Sequence, residues 1–118
     1  MRPEVVRAPE APRLPKPPEH LRPSTRRWFE EIVRSWELEP HHLRLLVLAC
    51  EAVDRCDEAR ERIRKDGAYV KGRYGLRAHP AIAVERDSRL AAARLLRELD
   101  LDASAGAEIR PPLLKRYD

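Results

Sequence analysis

The sequence predicts an all-α fold of three main helices, the longest two forming a helical hairpin across a short glycine-bearing connector. Three observations point there. Apolar residues recur at spacings of three and four along three separate stretches. Eleven prolines stand against four glycines, a balance that suits helices with stiff flanks better than a hairpin-rich sandwich. Apolar residues make up 42% of the chain and charged ones 37%, with only 5% aromatic, so the core is aliphatic and thin. A length of 118 residues is enough for one domain.

Taken in order, residues 1–20 hold six prolines (Pro3, Pro9, Pro12, Pro15, Pro17, Pro18) among scattered charges, which predicts an extended or unordered arm of polyproline character. Order begins at Leu21, because Pro23 and Ser24 are helix-start residues, with Ser24 as the cap and Leu21 as a staple onto the first turn. The first helix runs from Pro23 to about Leu38. Trp28, Phe29, Ile32, Val33 and Trp36 give it one continuous apolar face, which makes it the core anchor. Glu39 and Pro40 open a second helix that ends near Asp66, where Gly67 supplies a left-handed cap. At 1.5 Å per residue this is a rod of roughly 40 Å. From Leu43 to Val53 it is apolar nearly all round, so protein should surround it. Beyond Asp54 only Cys56, Ala59 and Ile63 recur on one side, which fits pairing with a single neighbour. A connector from Gly67 to His79 carries glycines at 67, 72 and 75 and two short extended pieces. The third helix opens at Pro80 and runs to about Leu99, with Ala92, Leu95, Leu96 and Leu99 as its clearest stripe and Ile82, Val84 and Leu90 towards its start. Residues 21–101 thus form the helical domain, and 102–118 a flexible tail with a Pro-Pro-Leu-Leu knot.

Several function classes are disfavoured. No apolar run approaches the ~20 residues that cross a bilayer, and the opening MRPEVVRAPEAPR has no apolar signal core. Cys50 and Cys56 lie six apart in one helix, about 240° round its axis, so they face different ways and read as small buried apolar residues of an intracellular protein. No glycine-rich phosphate loop is present. His41 and His42 are adjacent at a helix start, not four apart around a glutamate as in a zinc protease. Ser24 and Ser88 have no triad partner. No enzyme, cofactor or metal site is predicted.

Nucleic acid is the more natural partner. Positive charge gathers at the connector (Lys71, Arg73, Arg77) and at the junction of arm and first helix (Arg22, Arg26, Arg27). From Gly67 to Ala78 there are three cations and no acid, a net +3 in a chain of net +4. One copy neutralises few phosphates, so binding is weak and salt-sensitive until copies assemble and repeat the patch. The chain has neither Asn nor Gln, the usual bidentate readers of adenine, which predicts shallow base specificity carried by arginine or by DNA shape. Assembly is itself expected, because about 80 ordered residues are near the lower limit for a self-sufficient core. The contacts expected between copies are Leu46, Val53, Cys56, Ile63, Leu95 and Leu99.

The order of features is informative: PPEHLRPSTRRWFEEIV (Pro17 to Val33), LLVLACEAVDRCDEARERIRKDG (Leu45 to Gly67), then HPAIAVERDSRLAAARLLRELDLD (His79 to Asp102). Over roughly residues 14–105 this resembles the small terminase subunit of tailed bacteriophages and prophages. His79-Pro80-Ala81 before an arginine-rich helix is its most specific part. The resemblance implies a non-catalytic helical protein that assembles into a ring, engages double-stranded viral DNA at the packaging start and recruits or regulates the large ATPase–nuclease subunit in the cytoplasm of an infected bacterium. It carries over no individual DNA-contacting residue. Two other readings remain open from the residues alone, a helix-turn-helix transcriptional regulator and a helical protein–protein adaptor.

Overall fold

The computed structural model describes residues 13–101. Three helices, α1 (Pro23–Ser35), α2 (Pro40–Asp66) and α3 (Pro80–Leu99), form the body. Two strands, β1 (Tyr69–Gly72) and β2 (Gly75–Ala78), pair antiparallel between α2 and α3. The fold is therefore mostly helical, with a small β-hairpin where short extended pieces were expected. The tail 102–118 and the first twelve residues of the arm lie outside the described residues.

Chain reversal at each connection makes neighbouring helices antiparallel. Asp66 meets His79 at one end of the α2–α3 pair, Arg60 meets Glu85 further along, and Leu99 joins Leu46 and Cys50 in one buried cluster near the other end. The start of α1 lies beside the middle of α2, where the Arg22 backbone N–H donates to Asp54 over 2.8 Å. The first half of α2 is thus covered by both α1 and α3, and its second half by α3. Leu21, Phe29, Ile32, Val33, Leu46, Cys50 and Leu99 form the buried core, with Trp28, Trp36, Leu38, Leu43, Leu45 and Val47 packed half-buried against it. That division follows the hydrophobic pattern of α2, apolar all round and then one-sided.

The helix starts reveal how local chemistry sets the boundaries. Pro23 occupies the first turn of α1, but Ser24 is not the cap. Arg22 holds that position without a capping bond from its side chain. Help comes instead from α2: buried Asp54 accepts from the Arg22 N–H, one of the orphan donors of the helix start, and from the Thr25 hydroxyl. A carboxylate at a helix N-terminus also suits the local dipole. At α2, Glu39 and His42 close a reciprocal capping box, with the Glu39 N–H donating to His42 Nδ1 over 3.2 Å. α1 stops at Ser35, three residues early, because Trp36 turns extended (φ −135°, ψ 144°), and Trp36 and Leu38 fold back onto the core.

Residues 13–20 contain no helix or strand. Pro17 and Pro18 are half-buried, Leu21 donates its N–H to the Pro18 carbonyl, and His20 Nε2 lies 2.8 Å from Glu51. This part of the expected arm therefore runs against the helical body. Among the described residues, no helix is long and apolar enough to cross a membrane.

Candidate nucleic-acid interface

Gly67 begins the departure from α2. Its φ of +89° is open to glycine and strained for other residues, while ψ 161° makes it an extended exit rather than the left-handed cap expected there. Its N–H still closes the helix on the Ile63 carbonyl at 2.7 Å. The strands then run in register, Tyr69 opposite Ala78, Val70 opposite Arg77, Lys71 opposite Leu76 and Gly72 opposite Gly75. Arg73 and Tyr74 form the turn, and Gly75 receives the chain at φ +118°. A Cβ on Gly72 would sit 3.0 Å from the Gly75 carbonyl oxygen and 2.9 Å from Arg77 Cδ, so a side chain there fits only if the turn and the Arg77 side chain shift.

The base of the hairpin is clasped. His79 donates its N–H to the Ala68 carbonyl at 2.8 Å. Its ring then works at both nitrogens: Nδ1 accepts the Ala81 N–H at 2.9 Å, capping α3, and Nε2 donates to Asp66 at 2.8 Å. That pair of bonds requires the neutral ring with its proton on Nε2. The bond from His79 holds the Asp66 carboxyl below its ordinary value of 3.8. Pro80 fills the first helical position, where its missing N–H costs nothing. The His-Pro-Ala triplet is therefore a hinge-lock that ties the end of α2, the hairpin and the start of α3 together.

Lys71, Arg73 and Arg77 are all exposed, and among the described residues Lys71 and Arg77 form no ion pair. The arginine junction is more divided. Arg22 is half-buried and ion-paired to Glu61, so its charge is neutralised within the chain. Arg27 is exposed and Arg26 half-buried on α1. The Arg22 side chain extends along α2 to Glu61, six residues or about 9 Å along the helix axis before Gly67, where the hairpin leaves. The hairpin cations stand at the far end of α2, whereas Arg26 and Arg27 follow Arg22 along α1 and away from that end.

The residues expected between copies also separate. Leu46, Cys56 and Leu99 are buried inside a single subunit, since α3 lies along α2 and α1 closes its first half. Val53, Ile63 and Leu95 are half-buried. Leu48, Val84, Leu90 and Leu96 are the large apolar side chains that the helices leave exposed. Cys56 touches Glu85, whose carboxyl is held low by bonds from Arg89 and Arg60. Burial pushes the Cys50 thiol up to about 12.

Sequence reasoning did not single out Tyr69, Tyr74 and Leu76, which stand 67%, 93% and 75% exposed on the hairpin. Their signal was the alternation Tyr-Val-Lys-Gly before a glycine-bounded turn. Nor did it find Asp54 as the outside cap of α1, a contact 29 residues away in sequence.

The family model described as phage terminase, small subunit, matches residues 26–113, about three quarters of the chain. That match starts within α1, spans the hairpin and His79-Pro80-Ala81, and extends into the tail. Comparison with curated proteins and with solved structures finds no match. A helical body whose most specific triplet locks a basic hairpin in place, carried on a sequence matched over that whole region, belongs to the phage terminase small-subunit family, whose role is in phage DNA packaging.

Proposed function

We propose that this chain is a non-catalytic subunit that assembles with copies of itself into a ring, engages double-stranded viral DNA at the packaging start, and recruits or regulates the large terminase ATPase–nuclease in the cytoplasm of the infected host. The observation that carries the DNA part is the hairpin from Gly67 to Ala78, which projects Lys71, Arg73 and Arg77 and contains no carboxylate. Arg26 and Arg27 supplement it from α1, whereas Arg22 serves the fold. For self-assembly, Val53, Ile63 and Leu95 remain partly available, and Leu48, Leu90 and Leu96 add exposed apolar area. Leu46, Cys56 and Leu99 are already used within the subunit.

The regulator reading fares worse. A recognition helix must present its opening turns to a groove. Here the opening turns of α2 carry Leu43, Leu46 and Val47 into the core. A pure adaptor leaves the acid-free hairpin without a role. Fluorescence anisotropy on a labelled duplex tests the proposal: affinity should fall steeply and linearly in log–log form as salt rises, through release of counterions. Binding that ignores salt, or no binding at any protein concentration that supports assembly, contradicts it.

A further inference from the structure

The cations of the hairpin do not share a face. Side chains alternate along each strand, and directly opposed residues point the same way. The register therefore places Tyr69, Lys71, Leu76 and Ala78 on one face, and Val70 and Arg77 with the two glycines on the other. Arg77 lies along its own face: a Cβ on Gly72 would meet Arg77 Cδ at 2.9 Å. At the turn, the Arg73 guanidinium sits 5.7 Å from the centre of the Tyr74 ring, and Tyr74 is 93% exposed.

This arrangement selects among anionic partners by shape. A flat acidic surface, such as the outside of a helix on another protein, meets one face of the ribbon and only one of the two strand cations. A cleft with negative charge on both walls meets both. The major groove of B-DNA is such a cleft, about 12 Å wide with phosphates on each rim, and it admits a two-stranded ribbon. The minor groove, about 6 Å wide, does not. Strands about 4.8 Å apart, with side chains on both faces, fill a slot of the larger size. Lys71 lies two residues behind Arg73, or about 7 Å at strand rise. A tip at the base edges, in a groove about 8.5 Å deep, thus leaves that ammonium near the rim.

We propose that the hairpin enters the major groove of duplex DNA tip first, with Lys71 and Arg77 on phosphates of opposite strands and Arg73 and Tyr74 at the base edges. This rests on the DNA-engaging reading above and adds to it the groove and the orientation. Arg73 supplies the donors that guanine O6 and N7 accept. With no Asn or Gln in the chain, adenine has no bidentate reader, so guanine is the base the tip distinguishes.

The test uses the full chain, a duplex of defined sequence, and three exposed-residue variants, Lys71→Ala, Arg77→Ala and Arg73→Ala, each checked for unchanged mass and helical content. The slope of log affinity against log salt should fall by about 0.9 per engaged hairpin for Lys71→Ala, by the same for Arg77→Ala, and by the sum in the double variant. Methylating guanine N7, which projects into the major groove, should weaken wild-type binding and matter little to Arg73→Ala. If only one strand cation changes the slope while the wild type binds in a salt-dependent way, the ribbon lies on its side and groove entry is overturned, with DNA engagement left standing. If both change it but N7 methylation has no effect on the wild type, the major-groove assignment is overturned. A wild-type protein that shows no salt-dependent binding overturns this inference and the function proposed above together.

Discussion

Asp54 shows how much a single side chain carries. It is buried, and its two oxygens accept from the Arg22 N–H and the Thr25 hydroxyl, so the α1 terminus depends on a residue of α2. Replacing it with alanine leaves a buried hydroxyl and a backbone donor without acceptors, each worth about 1–3 kcal/mol. Asp54→Ala should therefore lower unfolding stability by about 2–4 kcal/mol in chemical denaturation, and Thr25→Ala by less. A double-mutant cycle should show coupling between the two, and strict additivity would rule out the shared bond. The cysteines make a second residue-scale case. With the Cys50 thiol pushed to about 12 by desolvation, and Cys56 raised by the same cause, neither presents thiolate at neutral pH. Alkylation of both in the native protein should proceed only at the rate of opening, and a fast native reaction at Cys50 would show that the core around Leu46 is not closed.

Among the elements, the hairpin is held by its ends and by its glycines. Gly75→Ala forces an L side chain to φ +118°, at a cost on the order of 1 kcal/mol, and should raise amide exchange across 69–78 while leaving α2 protected. His79→Ala removes the α3 cap and the partner of Asp66 together, so exchange at Ala81 should rise first. The acid side of the pH dependence has a definite sign. Asp66 and Glu85 are held below their ordinary values in the fold, Asp66 by His79 and Glu85 by Arg89 and Arg60. Their contribution is complete above the unfolded carboxylate range and is lost as pH falls through the lowered folded values. The share of α3 protection carried by the Glu85 contacts, read at the amides around Glu85, should therefore be flat through neutral pH and decline only below about 4.5; a decline there that begins nearer neutrality would point to another group.

Legibility at this scale followed locality. Both bounds of α2 and the start of α3 are written beside the bounds themselves, in Glu39-Pro40, in Gly67 and in His79-Pro80. The early end of α1 is not, because Trp36 leaves the helix to reach a core assembled from distant segments. The strands were visible only as extended pieces, since four residues are too few for a firm period-2 signal. The cations of the hairpin could be found by charge alone, whereas the loss of Arg22 to Glu61 depends on a contact 39 residues away.

For the molecule as a whole, α2 and α3 form a frame that displays the hairpin at one end, while α1 covers the other half of α2. The frame conceals more apolar surface than its sequence suggested: Leu46, Cys56 and Leu99 need no second copy to cover them. The self-assembly proposed above would then use the outer surface, and Leu48→Glu, at a side chain 49% exposed, should reduce the mass seen by sedimentation without loss of helical content. Unchanged mass would move the contact elsewhere. Assembly and DNA engagement are separable in this account, because the hairpin cations stand clear of those apolar residues. Charge reversal of the hairpin, Lys71→Glu with Arg73→Glu and Arg77→Glu, is therefore the most direct test, read as duplex affinity at low salt alongside sedimentation. The account predicts an assembly of wild-type size that has lost salt-sensitive binding to the duplex; a reversed hairpin that still binds the duplex with wild-type affinity and salt dependence would contradict it.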